Sequence, residues 1–257
     1  MSVKQRTLKS EFSLNGKGLH TGKQVTATFK PAEENFGYRI RRMDLEGSPE
    51  IPALAEYVKL MDRASCLEKD GVCVFTMEHA MAALYGCGID NCLIELSGEE
   101  FPILDGSAKY YVEEIEKVGF EEQKADRRYF TVKEQMEFCS EDGQTKITLL
   151  PDTDYNINLV VAYDSPYLQM QYATYSEKVT DFAKEIAPCR TFVFLRELEM
   201  LLQHNLIKGG DLDNAIVIVD REISQEEVNR LAKLFNHDSI EVKQGILNNL
   251  DLYFDNE

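Results

Sequence analysis

Glu78 and His79 are adjacent residues whose types could carry out metal-assisted hydrolysis. A neutral imidazole is a common zinc ligand, and a carboxylate beside it can accept a proton from a water molecule that the metal activates. Both residues open a segment with helical spacing that we expect Thr76 to cap, and a helix N-terminus favours an ionised carboxylate. The alternative interpretation is an ordinary solvated first turn, in which Glu is frequent. Spacing alone leaves both open.

A second candidate is His20, which lies between Gly18 and Gly22 in the segment GKGLHTGK. Glycines let the backbone approach another group closely, so this loop could contact a ligand. The order of its residues differs from the GxxxxGK[ST] phosphate-binding loop. The alternative interpretation is a tight turn between two strands.

The remaining histidines are weaker candidates. His237 and Glu241 stand four residues apart, which is a metal-ligand spacing on a helix. The surrounding segment predicts a turn that leads into a strand, where residues i and i+4 lie about 13 Å apart and cannot share one ion. His204 follows a run of leucines, so we expect it at a helix C-terminus, where a cation is favourable.

Thr191 is a candidate hydroxyl, because it lies in the segment CRTFVF just before that run of leucines. In a hydrolase such a hydroxyl could stabilise an oxyanion. Its alternative role is the N-cap of the helix that the leucines predict. The helical spacing of that run is carried by Phe194, Leu195, Leu198, Leu201 and Leu202.

Hydrophobic spacing predicts the elements that would position these residues. One helix is expected from Thr76 and another after the turn LDGS, and the charged segment from Glu121 to Arg128 is the expected linker. Ser224 and Glu227 form a capping box for a short helix that follows the leucine-rich one. The expected strands are 24–29, 36–42, 72–75 and 92–97 in the first half, and 129–139, 144–151, 155–163 and 215–219 in the second.

The segments around Pro31 and Pro151 resemble each other. VTATFKPAEENFGYRI and KITLLPDTDYNINLVV each contain a strand, a proline, polar residues, an aromatic residue and another strand. This pattern indicates a weak internal duplication, and chance similarity of two hairpins is the alternative. The second half ends on a strand-like segment with no helix after it, so we expect its repeat to be incomplete.

The composition limits the class of protein. Apolar residues make up 44% of the 257, which predicts a packed core, and the net charge of −17 argues against a nucleic-acid partner while permitting an anionic small substrate. The six cysteines form no CxxC pair and are expected to be reduced. The sequence shows no signal peptide and no run of the roughly 20 apolar residues that a membrane span needs. We therefore expect a cytoplasmic chain without a transmembrane segment.

Taken together and in order, the motifs of this chain resemble the UDP-3-O-acyl-N-acetylglucosamine deacetylase family of lipid A biosynthesis in Gram-negative bacteria. The resemblance covers the whole chain and is most specific between residues 76 and 108. It implies an α+β fold of two similar modules, 1–124 and 125–257, each a β-sheet layered with helices and the second incomplete, with the active site between them. The motifs are QRTLK, GxGLHTG, the EH pair in TMEHAMAAL, GIDN, PILDGSA, RTFVF, GGDLDNAIV and LNN…FDNE.

The resemblance implies zinc-dependent hydrolysis of an acetamide, which releases acetate and leaves a free amine. His79 would bind Zn²⁺, which polarises the carbonyl and lowers the pKa of its water. Glu78 would be the general base, and Thr191 would hydrogen-bond the tetrahedral intermediate.

The implied substrate is an acylated UDP-glucosamine. Phe192 and Gly210 would help to hold its glucosamine, and the apolar surroundings of Leu212 and Ala215 would border the passage for the acyl chain. His20 would also belong to the substrate-binding residues, and both His20 and Asp105 would lie close to the site or support it.

The family pattern has one element that these 257 residues lack. In the family, FDNE leads into a helix with an RHKxxDxxGD pattern, which supplies the other zinc ligands, and a later His is the general acid. We therefore expect the remaining ligands beyond Glu257, and we expect this chain alone to bind zinc weakly and to be inactive. The inserted helix near 224–235 resembles members from Bacteroidetes-like bacteria in which a dehydratase domain follows the deacetylase.

Two alternatives stay open. The chain could be a non-catalytic remnant of the fold that binds an acylated sugar nucleotide or a partner, or an unrelated metal hydrolase that uses Glu78 and His79. The intact PILDGSA and GIDN segments argue against the unrelated hydrolase. The codons after Glu257 distinguish the remnant from the enzyme, because an RHKxxDxxGD pattern there would indicate an enzyme.

Overall fold

A computed structural model describes residues 3–61, 64–165, 168–203, 207–235 and 237–240. Its mixed strands and helices agree with the predicted α+β class. In this described part the α-helices are α1 (Glu78–Gly86), α2 (Lys109–Val118), α3 (Leu195–Gln203) and α4 (Gln225–Leu234), with a 3-10 turn at Ala55–Tyr57 and a π-helical turn at Phe182–Ile186. None of the helices in these ranges is long and apolar enough to cross a membrane.

The strands are short, and eight of the sixteen in the described part overlap the predicted runs. They are β1 (Lys4–Leu8), β2 (Phe12–Lys17), β3 (Gln24–Pro31), β4 (Tyr38–Arg42), β5 (Glu50–Pro52), β6 (Val58–Met61), β7 (Ala64–Lys69), β8 (Val72–Phe75), β9 (Cys92–Leu96), β10 (Phe120–Asp126), β11 (Met136–Cys139), β12 (Lys146–Leu149), β13 (Asn156–Val161), β14 (Gln171–Ser176), β15 (Phe192–Phe194) and β16 (Ile216–Ile218).

The first half is built on a five-stranded sheet in the order β2-β3-β9-β4-β5. Its pairs are antiparallel except for the parallel pair of β4 and β9. Buried residues alternate along β3 because one face of the sheet lies on the core. The ring of Tyr111 on α2 lies 5.8 Å from Phe29 of β3, which stacks on Phe12 at 4.7 Å. The first core therefore forms between this sheet and the helices α1 and α2.

The charged segment 121–128 is a strand for most of its length, so its prediction as a linker was wrong. Residues Phe120–Asp126 form β10, which pairs antiparallel with β1. A charged sequence is compatible with this strand because the two-stranded ribbon leaves much of its surface in solvent. Lys4 of β1 donates to the carboxylate of Asp126 and to the carbonyl of Lys124. The predicted boundary at 124–125 falls inside β10, and the division into modules stays a prediction.

The GIDN segment connects this ribbon to the rest of the first half. Asp90 accepts two hydrogen bonds from the guanidinium of Arg127, at 2.8 and 2.9 Å. Asn91 is 2% exposed, and its side-chain amide donates to Gln5 at 2.9 Å and to Gln123 at 2.7 Å. A buried amide needs such partners, because an unpaired one is costly. The segment therefore has a structural role.

The second half contains two hairpins and a small parallel sheet. β11 pairs with β12 and β13 with β14, both antiparallel, whereas β15 and β16 are parallel. Helix α4 begins at the predicted cap, where the hydroxyl of Ser224 accepts from the amide of Glu227 at 3.2 Å. The Glu227 carboxylate pairs with Arg221. A second core joins α3, α4 and β16 through Leu195, Leu198, Leu212, Val217, Val219, Leu231 and Phe235.

The two proline-containing segments have related but different arrangements. In the first, β3 and β4 are separated by β9 within one sheet. In the second, β12 and β13 belong to separate hairpins. Over the ranges that the structure describes, the second half contains no five-stranded sheet to match the first, so the similarity of the two modules stays a prediction.

Candidate active site

Helix α1 begins where the sequence predicts. Glu78 is its first residue and is exposed, and His79 follows as a half-buried residue. We expected Thr76 to cap this helix, and that prediction was wrong. The N-cap position is Met77, and the hydroxyl of Thr76 donates to Glu100 at 3.0 Å. Thr76 has a φ of 58° and turns the chain between β8 and α1. The EH pair still lies in the first turn of α1, as predicted.

The environment of His79 favours its neutral form. Burial lowers the pKa of His79, and the negative charges of Glu78 and Asp105 oppose this effect. Burial is the larger cause, because an imidazolium loses more solvation than an imidazole does. The neutral ring is the form that binds metal ions. The negative charge of Asp105 therefore acts on the His79 ring, although the two belong to different segments.

Asp105 belongs to the PILDGSA segment, which forms a tight turn before α2. Its carboxylate accepts hydrogen bonds from the amide of Ser107 at 3.1 Å and from the hydroxyl of Ser107 at 2.7 Å. Gly106 has a φ of 81°, and a Cβ at this position would lie 2.1 Å from the carbonyl oxygen of Asn214. Glycine is therefore required where this turn packs against the second half.

Thr191 reaches the same turn from the second half. Its amide donates to the carbonyl of Gly106 at 2.7 Å, and its carbonyl accepts from the amide of Ile216 at 2.9 Å. Arg190 adds a hydrogen bond of 2.6 Å from Nε to the carbonyl of Asp105. Thr191 precedes β15, and α3 begins only after that strand, so Thr191 is not a helix cap. The structure thus brings Thr191 and Asp105 together.

The glycines around His20 predict that this loop closely approaches another group. In the structure that group is the protein's own backbone around Gly209. The amide of Gly209 donates to the carbonyl of Leu19 at 3.0 Å. A Cβ on Gly209 would lie 2.0 Å from the carbonyl oxygen of Gly18, so the two loops touch at backbone level. The loop is also the turn between β2 and β3. This contact holds the half-buried His20 beside the loop that carries Gly210.

The residues assigned to the substrate differ in accessibility. Phe192 is 39% exposed, and its ring centroid lies 5.6 Å from that of Tyr163. Gly210 and Ala215 are half-buried, whereas Leu212 is 5% exposed within the second core. Phe192 is therefore more accessible to a ligand than Leu212.

Of the histidines outside α1 and the GLHTG loop, the structure describes His237. His237 follows α4, and its Nε2 lies 3.3 Å from Oδ1 of Asp211. Glu241 and His204 lie outside the described residues, so the structure does not test the spacing argued for them. His237 contacts the loop beside Gly210, which its polar sequence context did not predict.

Sequence reasoning missed two residues at this site, Glu100 and Arg190. Glu100 is 2% exposed, yet it stands directly beside Glu99 in the segment GEEFP, and the sequence does not distinguish the buried carboxylate from the more exposed one. Arg190 holds the turn of Asp105 from the position before Thr191. Its position next to Thr191 was the feature of the sequence that could have identified Arg190 as a site residue.

The fit of a metal ion to this site is partial. His79 is suited to one ligand position, because it is half-buried and burial lowers the pKa of its imidazole, which favours the neutral form. Within the described ranges, no three His, Cys, Asp or Glu side chains form a group that could hold a metal ion. A catalytic zinc uses three protein ligands. The structure therefore accounts for one ligand, and the zinc stays a prediction.

Comparison with known proteins gives the class to which this fold and this site belong. A family model described as LpxC, UDP-3-O-acyl N-acetylglycosamine deacetylase, matches residues 5–237. The match includes both halves of the described structure. The chain belongs to this deacetylase family.

Individual relatives agree with the family and add a difference in length. A protein of Bacteroides thetaiotaomicron named Bifunctional enzyme LpxC/FabZ is 52% identical over 99% of this chain and 55% of its own length. A protein of the same name from Chlorobaculum tepidum is 43% identical over 100% of this chain and 56% of its own. The UDP-3-O-acyl-N-acetylglucosamine deacetylase of Marinobacter nauticus is 41% identical over 88% of this chain and 74% of its own length. The chain thus spans about half the length of the bifunctional relatives.

Proposed function

We propose that this chain carries the site that removes the acetyl group from UDP-3-O-acyl-N-acetylglucosamine during lipid A biosynthesis. In this reaction the amide C–N bond breaks, a C–O bond to water forms, and the products are acetate and a free amine on the sugar. One observation supports the proposal above the others. The turn that carries Asp105 is hydrogen-bonded to the backbone of Thr191, and the negative charge of Asp105 acts on His79, which links three separate segments.

In this proposal His79 is one ligand of a zinc ion. Zinc supplies Lewis acidity at the acetamide carbonyl and makes water easier to deprotonate at neutral pH. The lowered pKa of His79 favours the ring form that this role needs, and at least one further ligand would come from outside the described residues.

Glu78 and Thr191 carry the proposed chemistry of the chain itself. Glu78 is exposed in the first turn of α1, where it can accept the proton of the attacking water. An ionised carboxylate is favoured at that helix end. Thr191 donates its hydroxyl hydrogen to the oxygen that becomes negative as the water adds, which lowers the barrier because the donor is already positioned by Gly106 and Ile216.

The remaining assignments concern the substrate. We propose that Phe192 and Gly210 hold the glucosamine, with the loop of His20 beside them. For the acyl chain, the half-buried Ala215 is the more accessible border, and Leu212 would form the wall of the second core behind it.

Two further proposals follow from particular observations. A non-catalytic protein that binds the acylated sugar nucleotide is the second candidate function, because no three candidate ligands among the described residues form a group that could hold a metal ion. We also propose that the chain is the deacetylase part of a protein with a fused dehydratase domain, by analogy with the longer relatives named LpxC/FabZ.

The proposed activity is tested with the longest natural protein that contains this chain. We expect it to bind zinc and to release acetate from UDP-3-O-acyl-N-acetylglucosamine, and we expect chelation to stop the reaction and added zinc to restore it. His79→Ala should lose the bound zinc and lower turnover by at least about 10²-fold. Even residues that only hydrogen-bond to a metal ligand change metal affinity or activity by about 10- to 10²-fold when they are replaced. The control is Lys117→Ala, which removes an exposed side chain of α2 that the proposal does not use. Normal turnover of His79→Ala, or binding without turnover by the unmodified protein, would contradict the proposal, and the latter would favour the non-catalytic alternative.

A further inference from the structure

We infer that Glu100 is a positioning residue, which fixes the loop of His20 relative to the first turn of α1. The inference rests on the proposed function, because the residues that it would position are those proposed for the reaction. Glu100 is 2% exposed and lies outside the motifs that define the family resemblance. Its carboxylate connects two separate segments of the site.

The carboxylate of Glu100 is saturated by donors from these two segments. Oε1 accepts from the amide of His20 at 2.9 Å and from the hydroxyl of Thr76 at 3.0 Å. Oε2 accepts from the amide of Thr21 at 2.9 Å and from its hydroxyl at 2.8 Å. Hydrogen bonds to a charged acceptor are stronger than those between neutral groups. The carboxylate of Glu100 is also shielded from water, which strengthens its hydrogen bonds further. The two segments are therefore held together by one buried charge.

The surrounding backbone is arranged to admit this side chain. The amide of Phe75 donates to the carbonyl of Glu99 at 2.9 Å, and the amide of Phe101 donates to Phe75 at 3.0 Å, which fixes Glu100 beside the end of β8. A Cβ on Gly18 would lie 2.2 Å from Oε2 of Glu100. The first glycine of the GLHTG loop is thus explained by the approach of this carboxylate.

Glu100 also holds a conformation that the chain would not adopt readily. Thr76 has a φ of 58°, which is unusual and energetically unfavourable for a β-branched residue. Its hydroxyl is tied to Glu100, and Glu78 follows two positions later. Loss of the carboxylate would release this turn, and the direction of Glu78 and His79 would change with it.

The same carboxylate acts indirectly on the second half. The loop that it holds contacts the backbone of Lys208 and Gly209, because the amide of Gly209 donates to Leu19. Gly210, which is proposed to contact the sugar, follows immediately. A shift of the loop would therefore move residues on both sides of the site.

The test compares Glu100→Gln with Glu99→Gln in the longest natural protein. Glutamine keeps the shape of Glu100, but whichever position its NH₂ group takes faces the backbone amide of His20 or of Thr21, so one hydrogen bond is replaced by a repulsive contact between two donors. We expect kcat for deacetylation to fall by about 10- to 10²-fold in Glu100→Gln, since small displacements at a reacting centre have effects of this size. Glu99→Gln is the matched control, because its side chain is 36% exposed and pairs with Lys23 at the surface.

Thr76 variants separate positioning from a loss of stability. Thr76→Ser keeps the hydroxyl and should retain kcat, whereas Thr76→Val has the same shape without the hydroxyl and should lose it. The losses in Thr76→Val and Glu100→Gln should be less than additive in the double variant, because both weaken the same link between the loop of His20 and the turn at Thr76. These variants also carry the test if Glu100→Gln does not fold.

Hydrogen exchange at the His20 and Thr21 amides keeps the inference independent of the proposed reaction. We expect both amides to exchange faster in Glu100→Gln than in Glu99→Gln, with no substrate present. Unchanged exchange, or a kcat that is equal in the two variants, would overturn the role of Glu100. If exchange is faster in Glu100→Gln but the unmodified protein does not deacetylate the sugar nucleotide, Glu100 still fixes the loop of His20 and the proposed function is wrong.

Discussion

Replacing Glu78 with Ala is expected to lower deacetylase turnover by at least about 10²-fold while zinc stays bound, which is the usual effect of losing a general base. Glu78 is an exposed first-turn residue, so its removal should cost the fold only the small helix-dipole contribution of roughly 0.3–1 kcal/mol. Steady-state kinetics with zinc analysis of the same sample checks the result. Glu78→Gln, which keeps the shape and loses the base, should behave in the same way.

A matched control for Glu78 is Glu113→Ala. Glu113 is also exposed on a helix and makes only a long ion pair with Lys109, at 3.9 Å. This variant should retain normal turnover. If Glu78→Ala with stoichiometric zinc were as active as Glu113→Ala, another group would have to be the base.

The second large effect is expected from Gly106→Ala. The added Cβ would lie 2.1 Å from the carbonyl oxygen of Asn214, in a backbone conformation with a φ of 81° that L-residues rarely adopt. The conformation should cost about 1–2 kcal/mol, and displacing the backbone of Asn214 a further 1–3 kcal/mol or so. Turnover should also fall at least about tenfold, because the displaced turn carries Asp105 and accepts the hydrogen bond of Thr191.

Gly71→Ala isolates the effect of the close contact at Gly106. Gly71 has the same φ of 81°, and a Cβ there meets no atom of the described residues within 4 Å. Urea denaturation of the two variants should therefore show the larger loss in free energy of unfolding for Gly106→Ala, and only that variant should lose turnover. Equal losses in stability and full activity in both would mean that the halves do not meet as closely at Gly106 as the structure indicates.

The sequence predicted the elements with strong periodicity and missed the contacts between segments. The helical spacing after Thr76 predicted α1, and the apolar spacing of 109–118 predicted α2. The prediction of a linker at 121–128 failed because a strand in a two-stranded ribbon needs no apolar alternation when both its faces meet solvent. Thr76 was expected to cap α1 from its position in the sequence. Its hydroxyl instead donates to the carboxylate of Glu100, which is distant in sequence and which a capping pattern does not take into account.

The site itself was only partly visible in the sequence. The EH pair, Thr191 and the glycines were recognised as candidates, because their types and spacing are unusual. Glu100 was not, since its neighbour Glu99 has the same side chain and a different environment. Burial of one of two adjacent carboxylates is decided by β pairing between Phe75 and Glu100, which no short motif encodes.

The central claim is that His79 holds a zinc ion between the first turn of α1 and the turn that carries Asp105. Its most direct test is anomalous diffraction at the zinc absorption edge from crystals of the longest natural protein, loaded with zinc. We predict a single strong peak about 2.0–2.1 Å from a ring nitrogen of His79, the normal length of a bond between zinc and histidine. Stoichiometric zinc with its peak at another site, or an active deacetylase with no zinc at His79, would contradict the claim.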